Sequence, residues 1–288
     1  MNALLRTARP KQWAKNVLVF AAPGAAGVLD EPKPFLYAVC AFVALCLAAS
    51  GTYFWNDALD VESDRAHPTK RFRPIASGQL DAGRAKLIGT ILPIVGLGVA
   101  AITGRWQTVA IVALYMAITL SYSAVWKHVA VIDLVAIASG FVLRAAAGAV
   151  AVDVPMSSWF VLVTTFGALF IVTGKRFAEV RELGDGAHSI RSTLGEYSEA
   201  YLRFVLGVTC AGALVSYCVW AFERRDLTGA DFPWYELSIV PVMTAFLRYA
   251  LMLDQGHGAA PEEVFVGDRV LQLLGLVWIA TFAVAVYT

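Results

Sequence analysis

Apolar residues run through this chain in stretches of bilayer length, and charged residues fall mostly in the breaks between them. A helix needs ~20 predominantly apolar residues to cross the hydrocarbon core. Runs of that kind lie near residues 14–29, 35–55, 83–103, 106–123, 130–151, 158–175, 200–221, 235–253 and 270–287. Backbone amides cannot stay unpaired in lipid, so each run is a helix or a strand of a closed barrel. Stretches such as 130–152 lack the alternation of a barrel strand. The pattern predicts an all-α polytopic membrane protein, a bundle of about nine transmembrane helices forming a single domain over residues 1–288. Pro23, Gly24 and Gly27 interrupt the first run, which is expected to be kinked or partly interfacial.

Composition supports this reading: 58% of the 288 residues are hydrophobic, 16% are charged, and the mean hydropathy is +0.64. That is more apolar surface than a soluble core hides. A formal net charge of +1 argues against a nucleic-acid partner bound through counterion release. Cys40, Cys46, Cys210 and Cys218 sit inside apolar runs with no Cys-x-x-Cys spacing, as buried free thiols do. The basic opening of residues 1–15 leads into an apolar run that no small-residue cleavage site ends, so a retained first segment is expected rather than a signal peptide.

Orientation follows from where Lys and Arg fall. Laid alternately across a bilayer, one side takes Arg6, Arg9, Lys11 and Lys15, the basic residues of 65–86, Lys127, the group from Lys175 to Arg203, which includes Arg191, and Arg269. The other side takes only Lys33, Arg105, Arg224 and Arg225. The N-terminus and both long connections, 56–82 and 175–199, are therefore expected in the cytoplasm, with the C-terminus outside. Each long connection follows a pair of helices, a weak sign of a duplicated unit.

The second run leads directly into Asn56, Asp57, Asp60 and Asp64. On a helix, spacings of three and four place the three carboxylates on one face with Asn56 beside them. Like charges so placed need a cation between them, and an oxygen-only donor set suits a hard ion such as Mg²⁺ rather than zinc. The alternative is a solvated helix end with capping acids. Arg65, His67, Lys70, Arg71 and Arg73 follow at once. Acid followed by base suits a metal-bridged diphosphate, with Lys and Arg taking the remaining oxygens, although a positive-inside loop accounts equally well for the basic residues alone.

Tyr122 and Lys127 close the fourth run on the same side, where they either reach that site or serve as interfacial anchors. Arg144 lies deep in an apolar run, where an unpaired guanidinium costs at least ~2.5 kcal/mol. It needs a partner or a water-filled cavity, and Asp133, three turns away, is an improbable one. Lys175, Glu179 and Glu182 share a helix face, either as a surface ladder or as a second phosphate-binding segment with Arg176 pointing inward. The chain carries no phosphate loop, nucleophile elbow or zinc-protease motif.

These motifs together resemble the UbiA superfamily of intramembrane prenyltransferases, which has about nine helices, a cytoplasmic N-D-x-x-D-x-x-x-D motif after the second and a Tyr-to-Lys motif after the fourth. Asn56, Asp57, Asp60 and Asp64 match the first motif, and Tyr122 with Lys127 resembles the second. Where the aromatic prenyltransferases carry another Asp-rich motif, this chain has Lys175, Arg176 and Glu179. The opening from Arg9 to Asn16, the His67-Pro68 loop with Lys70 and Arg71, and the Lys175 to Phe177 segment are similar to one branch of the family. That branch transfers 5-phosphoribose from phosphoribosyl diphosphate to decaprenyl (polyprenyl) phosphate for cell-wall arabinan synthesis in mycobacteria and their relatives.

The resemblance implies a Mg²⁺-dependent pentosyltransferase of the bacterial plasma membrane, its active site facing the cytoplasm. Asp57, Asp60 and Asp64, with Asn56, would hold Mg²⁺. Lys70, Arg71, Lys127, Lys175 and Arg176 would take phosphates, Tyr122, His67 and Glu179 would orient the donor, and Lys11, Lys15 and Arg144 would serve either substrate. The isoprenoid tail would lie in an apolar groove open to lipid. Two other readings stay open, a Mg²⁺-dependent aromatic prenyltransferase using a polyprenyl diphosphate donor and a membrane transporter or lipid-binding protein. Neither the prenyl chain length nor a homo-oligomeric state is fixed by the sequence.

Overall fold

The computed structural model describes residues 2–183, 192–229, 231–258 and 260–287. Arg191, counted above with the cytoplasmic cations, lies outside the described residues. Among those residues all regular structure is helical. The long helices are α1 (Pro32–Leu59), α2 (Ala82–Ala101), α3 (Trp106–Ala124), α4 (Ile132–Val152), α5 (Ser158–Leu183), α6 (Glu199–Thr228), α7 (Ile239–Asp254) and α8 (Arg269–Tyr287). With the turn Trp234–Leu237 leading into α7, they supply 8 helices among the described residues that are long and apolar enough to cross a membrane. Their ends follow local chemistry. Asp81 caps α2 by accepting from the Arg84 amide at 2.9 Å, Ser198 caps α6 by accepting from the Tyr201 amide at 3.1 Å, and α6 stops at Gly229 with φ 64°.

The expected first span is not a continuous α-helix. Residues Pro10–Phe20 form a 3₁₀ helix and Ala21–Ala25 a single short α-turn. The segment still travels alongside α1. Arg9 meets Asp57, Trp13 donates to Ser50 at 3.0 Å, the Asn16 amide donates to Cys46 at 3.1 Å, and Phe20 packs on Phe42 with ring centroids 5.8 Å apart. Eleven residues at the ~2 Å rise of a 3₁₀ helix cover about the same ~22 Å as the stretch of α1 from Phe42 to Asp57. The threefold repeat aligns Pro10, Trp13, Asn16, Val19 and Ala22, of which Asn16, Val19 and Ala22 are buried. The N-terminal residues thus stand at the same end of α1 as its acidic cluster.

The chain divides into two compact units, Met1–Ala124 with Leu143–Pro155, and Val125–Val142 with Met156–Thr288. In the first, α1 forms the centre, with Ala38, Ala41, Ala44, Leu45 and Ala48 fully buried. Small residues bring α2 close: a Cβ on Gly51 would lie 2.4 Å from the Pro93 ring. In the second, Phe170, Phe177, Leu202, Tyr249 and Leu253 build the core where α5, α6 and α7 pack.

Candidate functional site

The acidic motif lies where α1 ends. Asp60 gives its amide to the Asn56 carbonyl at 2.9 Å, closing the last turn, and a new six-residue helix, Val61–Ala66, begins beyond it. The break at Asp60 means that the three carboxylates do not stand on one continuous helical face. Asp57 and Asp64 are 3% and 2% exposed, whereas Asp60 faces solvent. Among the described residues no three His, Cys, Asp or Glu side chains are grouped so as to hold a metal ion. Two of the motif's carboxylates are close together, and the third is turned away from them.

Two arginines neutralise the buried pair. Arg73 Nη1 lies 3.1 Å from Asp57 Oδ1 and 2.8 Å from Asp64 Oδ2, and Arg9 Nη2 lies 2.6 Å from Asp57 Oδ1. Arg9 also stacks over the Tyr53 ring at 4.6 Å. Its φ of 52° places it in the left-handed region, a strain of order 1–3 kcal/mol that the ion pair and the packing hold. Buried carboxylates are costly without partners; here guanidinium nitrogens accompany both. One nitrogen in contact with both acids marks a place where a single cation bridges them. Oxygen-only donors suit Mg²⁺, which is bound through one or two carboxylates, waters and substrate phosphates rather than by an all-protein cage. The bridged pair, with the nearby amide of Asn56 and the exposed carboxylate of Asp60, fits that requirement.

Other expected residues of this unit gather around the same end. Asn56 donates to Ser123 at 3.0 Å, tying the motif to the end of α3, where Tyr122 is half-buried. His67 Nδ1 accepts the amides of Thr69 at 3.2 Å and Lys70 at 3.4 Å, so the ring shapes its own turn. Lys70 and Arg71 are exposed on that turn, Arg71 over the Phe72 ring at 4.8 Å. Arg6 fastens the loop to the N-terminal helix through the Phe72 carbonyl at 2.9 Å and Gln79 at 3.2 Å. Lys11 is exposed, and Lys15 donates to Gln12 at 2.5 Å.

Arg144 finds the partners that burial demands within the first unit. Its Nε donates to Asn16 Oδ1 at 2.7 Å and its Nη2 to the Tyr115 hydroxyl at 2.9 Å. These bonds tie the 3₁₀ segment to α4. Asp133 is not its partner, as the three-turn separation predicts.

In the second unit Asp133 is instead the centre of a buried network. Arg176 Nε meets Asp133 Oδ2 at 3.1 Å and its Nη1 meets Glu179 Oε2 at 2.6 Å, while Lys175 lies 3.8 Å from Glu179. Arg176 therefore points inward, onto two carboxylates, and the surface ladder exists beside it. The Tyr197 hydroxyl donates to Asp133 Oδ1 and accepts the Val131 amide at 2.6 Å. Burial pushes the Tyr197 phenol well above its ordinary pKa, and the bond to Asp133 adds to the effect. Lys127, on the turn Trp126–His128, is half-buried. A groove of about 240 Å³ between α5, α6 and α7 is walled by Phe170, Phe177, Leu206, Cys210 and Leu253, with Arg203 and Asp254 among its lining residues.

Sequence reasoning gave no site role to Arg9, Asp133 or Tyr197, and it grouped Arg73 with the cations expected on diphosphate oxygens rather than on the aspartates. Arg73, before Pro74, takes the extended backbone that such residues favour, whereas Arg9, before Pro10, is left-handed, and the local sequence marks neither as a partner of the aspartates. Nothing local marks Tyr197 or its pairing with Asp133.

Residues 17–276 match the model of the UbiA prenyltransferase family. The decaprenyl-phosphate phosphoribosyltransferase of Corynebacterium glutamicum is 43% identical over 289 residues, covering 99% of this chain and 87% of that one. The enzyme of the same name from Mycobacterium tuberculosis is 43% identical over 291 residues, covering 98% and 94%. A solved UbiA homologue from Archaeoglobus fulgidus, bound to GPP and Mg²⁺, superposes with a TM-score of 0.71 at 17% identity over 99% of this chain and all of that one. The same protein bound to Cd²⁺ gives 0.71 at 16% identity. At these identities the two structures establish the fold.

Proposed function

The chain belongs to the UbiA prenyltransferase family of membrane enzymes, and on that premise we propose that it transfers 5-phosphoribose from phosphoribosyl diphosphate to a polyprenyl phosphate, releasing pyrophosphate. The observation that carries this reading is the pair Asp57 and Asp64 sharing one cationic nitrogen, beside an exposed turn bearing Lys70 and Arg71. Relatives named for this reaction match along almost the whole chain.

Asp57 and Asp64, with Asp60 and Asn56, would hold Mg²⁺ in this proposal, and the bound ion would supply charge neutralisation for the diphosphate leaving group. Arg9 and Arg73 hold Asp57 and Asp64 in place. Lys70 and Arg71 take diphosphate oxygens, His67 and Tyr122 orient the donor, and Lys11 and Lys15 add positive charge for either substrate. In the second unit Lys127 and Lys175 take phosphates, while Arg176 and Glu179 hold Lys175 in position. The transition state places positive charge on the ribose ring and negative charge on the departing pyrophosphate, so prearranged electrostatics supplies most of the catalysis. The acceptor is already an anion, so no strong general base is required; the cations offset repulsion between two phosphorylated substrates. The groove beside Arg203 suits part of an isoprenoid chain. The distribution of Lys and Arg supports a bacterial plasma membrane protein with the acidic end in the cytoplasm.

The test is turnover by purified protein with labelled phosphoribosyl diphosphate and polyprenyl phosphate, set against polyprenyl diphosphate with an aromatic acceptor. Divalent-dependent pyrophosphate release with the first pair is expected. Product from the second pair alone overturns the proposal in favour of aromatic prenyl transfer, and release from neither pair overturns both readings.

A further inference from the structure

We infer that Tyr197 is a positioning residue that sets the Lys127 turn in register with the Lys175 end of α5, an inference that rests on the phosphate role given above to those two lysines. Its hydroxyl meets the turn that leads into α4 at two points, the Val131 amide and the Asp133 carboxylate. The phenol accepts the Val131 amide at 2.6 Å, four residues beyond Lys127, and donates to Asp133 at the first turn of α4. The other oxygen of Asp133 holds Arg176, and Arg176 holds Glu179, which also faces Lys175. The short helix Ser192–Glu196, immediately before Tyr197, rests on the Trp126–His128 turn.

The local backbone requires such a restraint. Val131 has φ 68°, a conformation that a β-branched residue adopts only when its surroundings impose it. The Tyr197 bond to the Val131 amide is the side-chain restraint on it, beside the backbone bonds from the Ile132 amide to the Ala130 carbonyl at 2.8 Å and from the Asp133 amide to the Val129 carbonyl at 3.0 Å. Asp133, Arg176 and Tyr197 are 0%, 3% and 5% exposed, so water cannot replace a lost partner without opening the core. Without the hydroxyl, the turn carrying Lys127 is free to relax to an ordinary φ, which carries its ammonium out of register. Tyr197 touches neither substrate; it acts through Lys127.

Tyr197→Phe keeps the ring and its stacking on Tyr201 but removes the hydroxyl. A rise of about tenfold in KM for a phosphorylated substrate is expected, with kcat within about threefold of wild type. The decisive measurement is a double-mutant cycle with Lys127→Met. If Tyr197 acts through Lys127, its loss adds little once Lys127 is gone. A full additive effect in that background, or a lowered melting midpoint with KM unchanged, overturns the inference. Should Tyr197→Phe fail to survive extraction, Asp133→Glu takes its place with the same expectation, because it keeps the charge facing Arg176 and displaces the oxygen the phenol meets. If wild-type protein works only with polyprenyl diphosphate and an aromatic acceptor, the proposed reaction fails, and the cycle is read on that pair, where additivity overturns the inference separately.

Discussion

Asp57 and Asp64, seven residues apart across a helix break, share the same nitrogen of Arg73 at 3.1 and 2.8 Å. Asp60, between them in sequence, faces solvent. The three aspartates should therefore respond differently to substitution. Asp57→Asn takes the carboxylate from Arg9 and one of two from Arg73, and Asp64→Asn takes the other from Arg73, so both should lower the melting midpoint in detergent as well as activity, Asp57→Asn the more. Asp60→Asn should leave the melting midpoint within the ~0.5 kcal/mol typical of surface changes, yet raise the Mg²⁺ concentration needed for half-maximal turnover. Equal destabilisation by all three would contradict the arrangement.

Gly148 of α4 lies under the 3₁₀ segment so closely that a Cβ there would stand 1.7 Å from the Val19 carbonyl oxygen. No side-chain adjustment relieves a clash with backbone. Gly148→Ala should cost several times the ~1 kcal/mol that alanine normally gains over glycine in a helix, and folded protein should be largely lost on extraction. Gly98→Ala and Gly207→Ala, where nothing lies within 4 Å, serve as controls and should be neutral or slightly stabilising. The comparison is read by size-exclusion recovery and thermal unfolding.

The helices were legible because hydrocarbon leaves a chain few choices, and a predominantly apolar helix of 21 residues such as α4 announces itself by length. The acidic motif was legible for a similar reason, since charge at a membrane edge is costly without purpose. What escaped depends on contacts between distant residues. The first segment reads in sequence as an apolar run of bilayer length, whereas its buried positions recur every three, from Asn16 through Val19 to Ala22. A one-face reading of Asp57, Asp60 and Asp64 assumes that the helix continues, and nothing in the local sequence reports that it stops at Asp60. Arg9 and Asp57 are 48 residues apart, and Tyr197 and Asp133 are 64, so no spacing rule could pair them.

Arg144 holds Asn16 at 2.7 Å and Tyr115 at 2.9 Å within the apolar interior. Arg144→Leu removes a costly buried cation but leaves the Asn16 carbonyl and the Tyr115 hydroxyl without that donor, at about 1–3 kcal/mol for each buried group so stranded. A net loss of stability is expected, with KM unchanged in the protein that remains folded. Arg144→Lys should not rescue it, because a single ammonium does not reproduce the planar fork that reaches both partners. A selective rise in substrate KM with an unchanged melting midpoint would instead assign Arg144 to the substrate.

Tyr197 makes alkaline stability a test of its network. Its folded-state pKa is raised above the ordinary tyrosine value of ~10, chiefly by burial and then by the Asp133 carboxylate it donates to. The folded protein keeps this proton where the unfolded chain has lost it. The contribution is therefore complete below the unfolded pKa and is lost as pH rises from there through the folded pKa. Wild-type protein should lose melting temperature more steeply above pH 10 than Tyr197→Phe, which has no proton to lose. Below pH 9 the order reverses, and the wild type should melt higher because its hydroxyl still joins Val131 to Asp133. Unfolding scans of both proteins in the same detergent across this range check the sign, and parallel curves above pH 10 would show that the phenol titrates as an exposed one does.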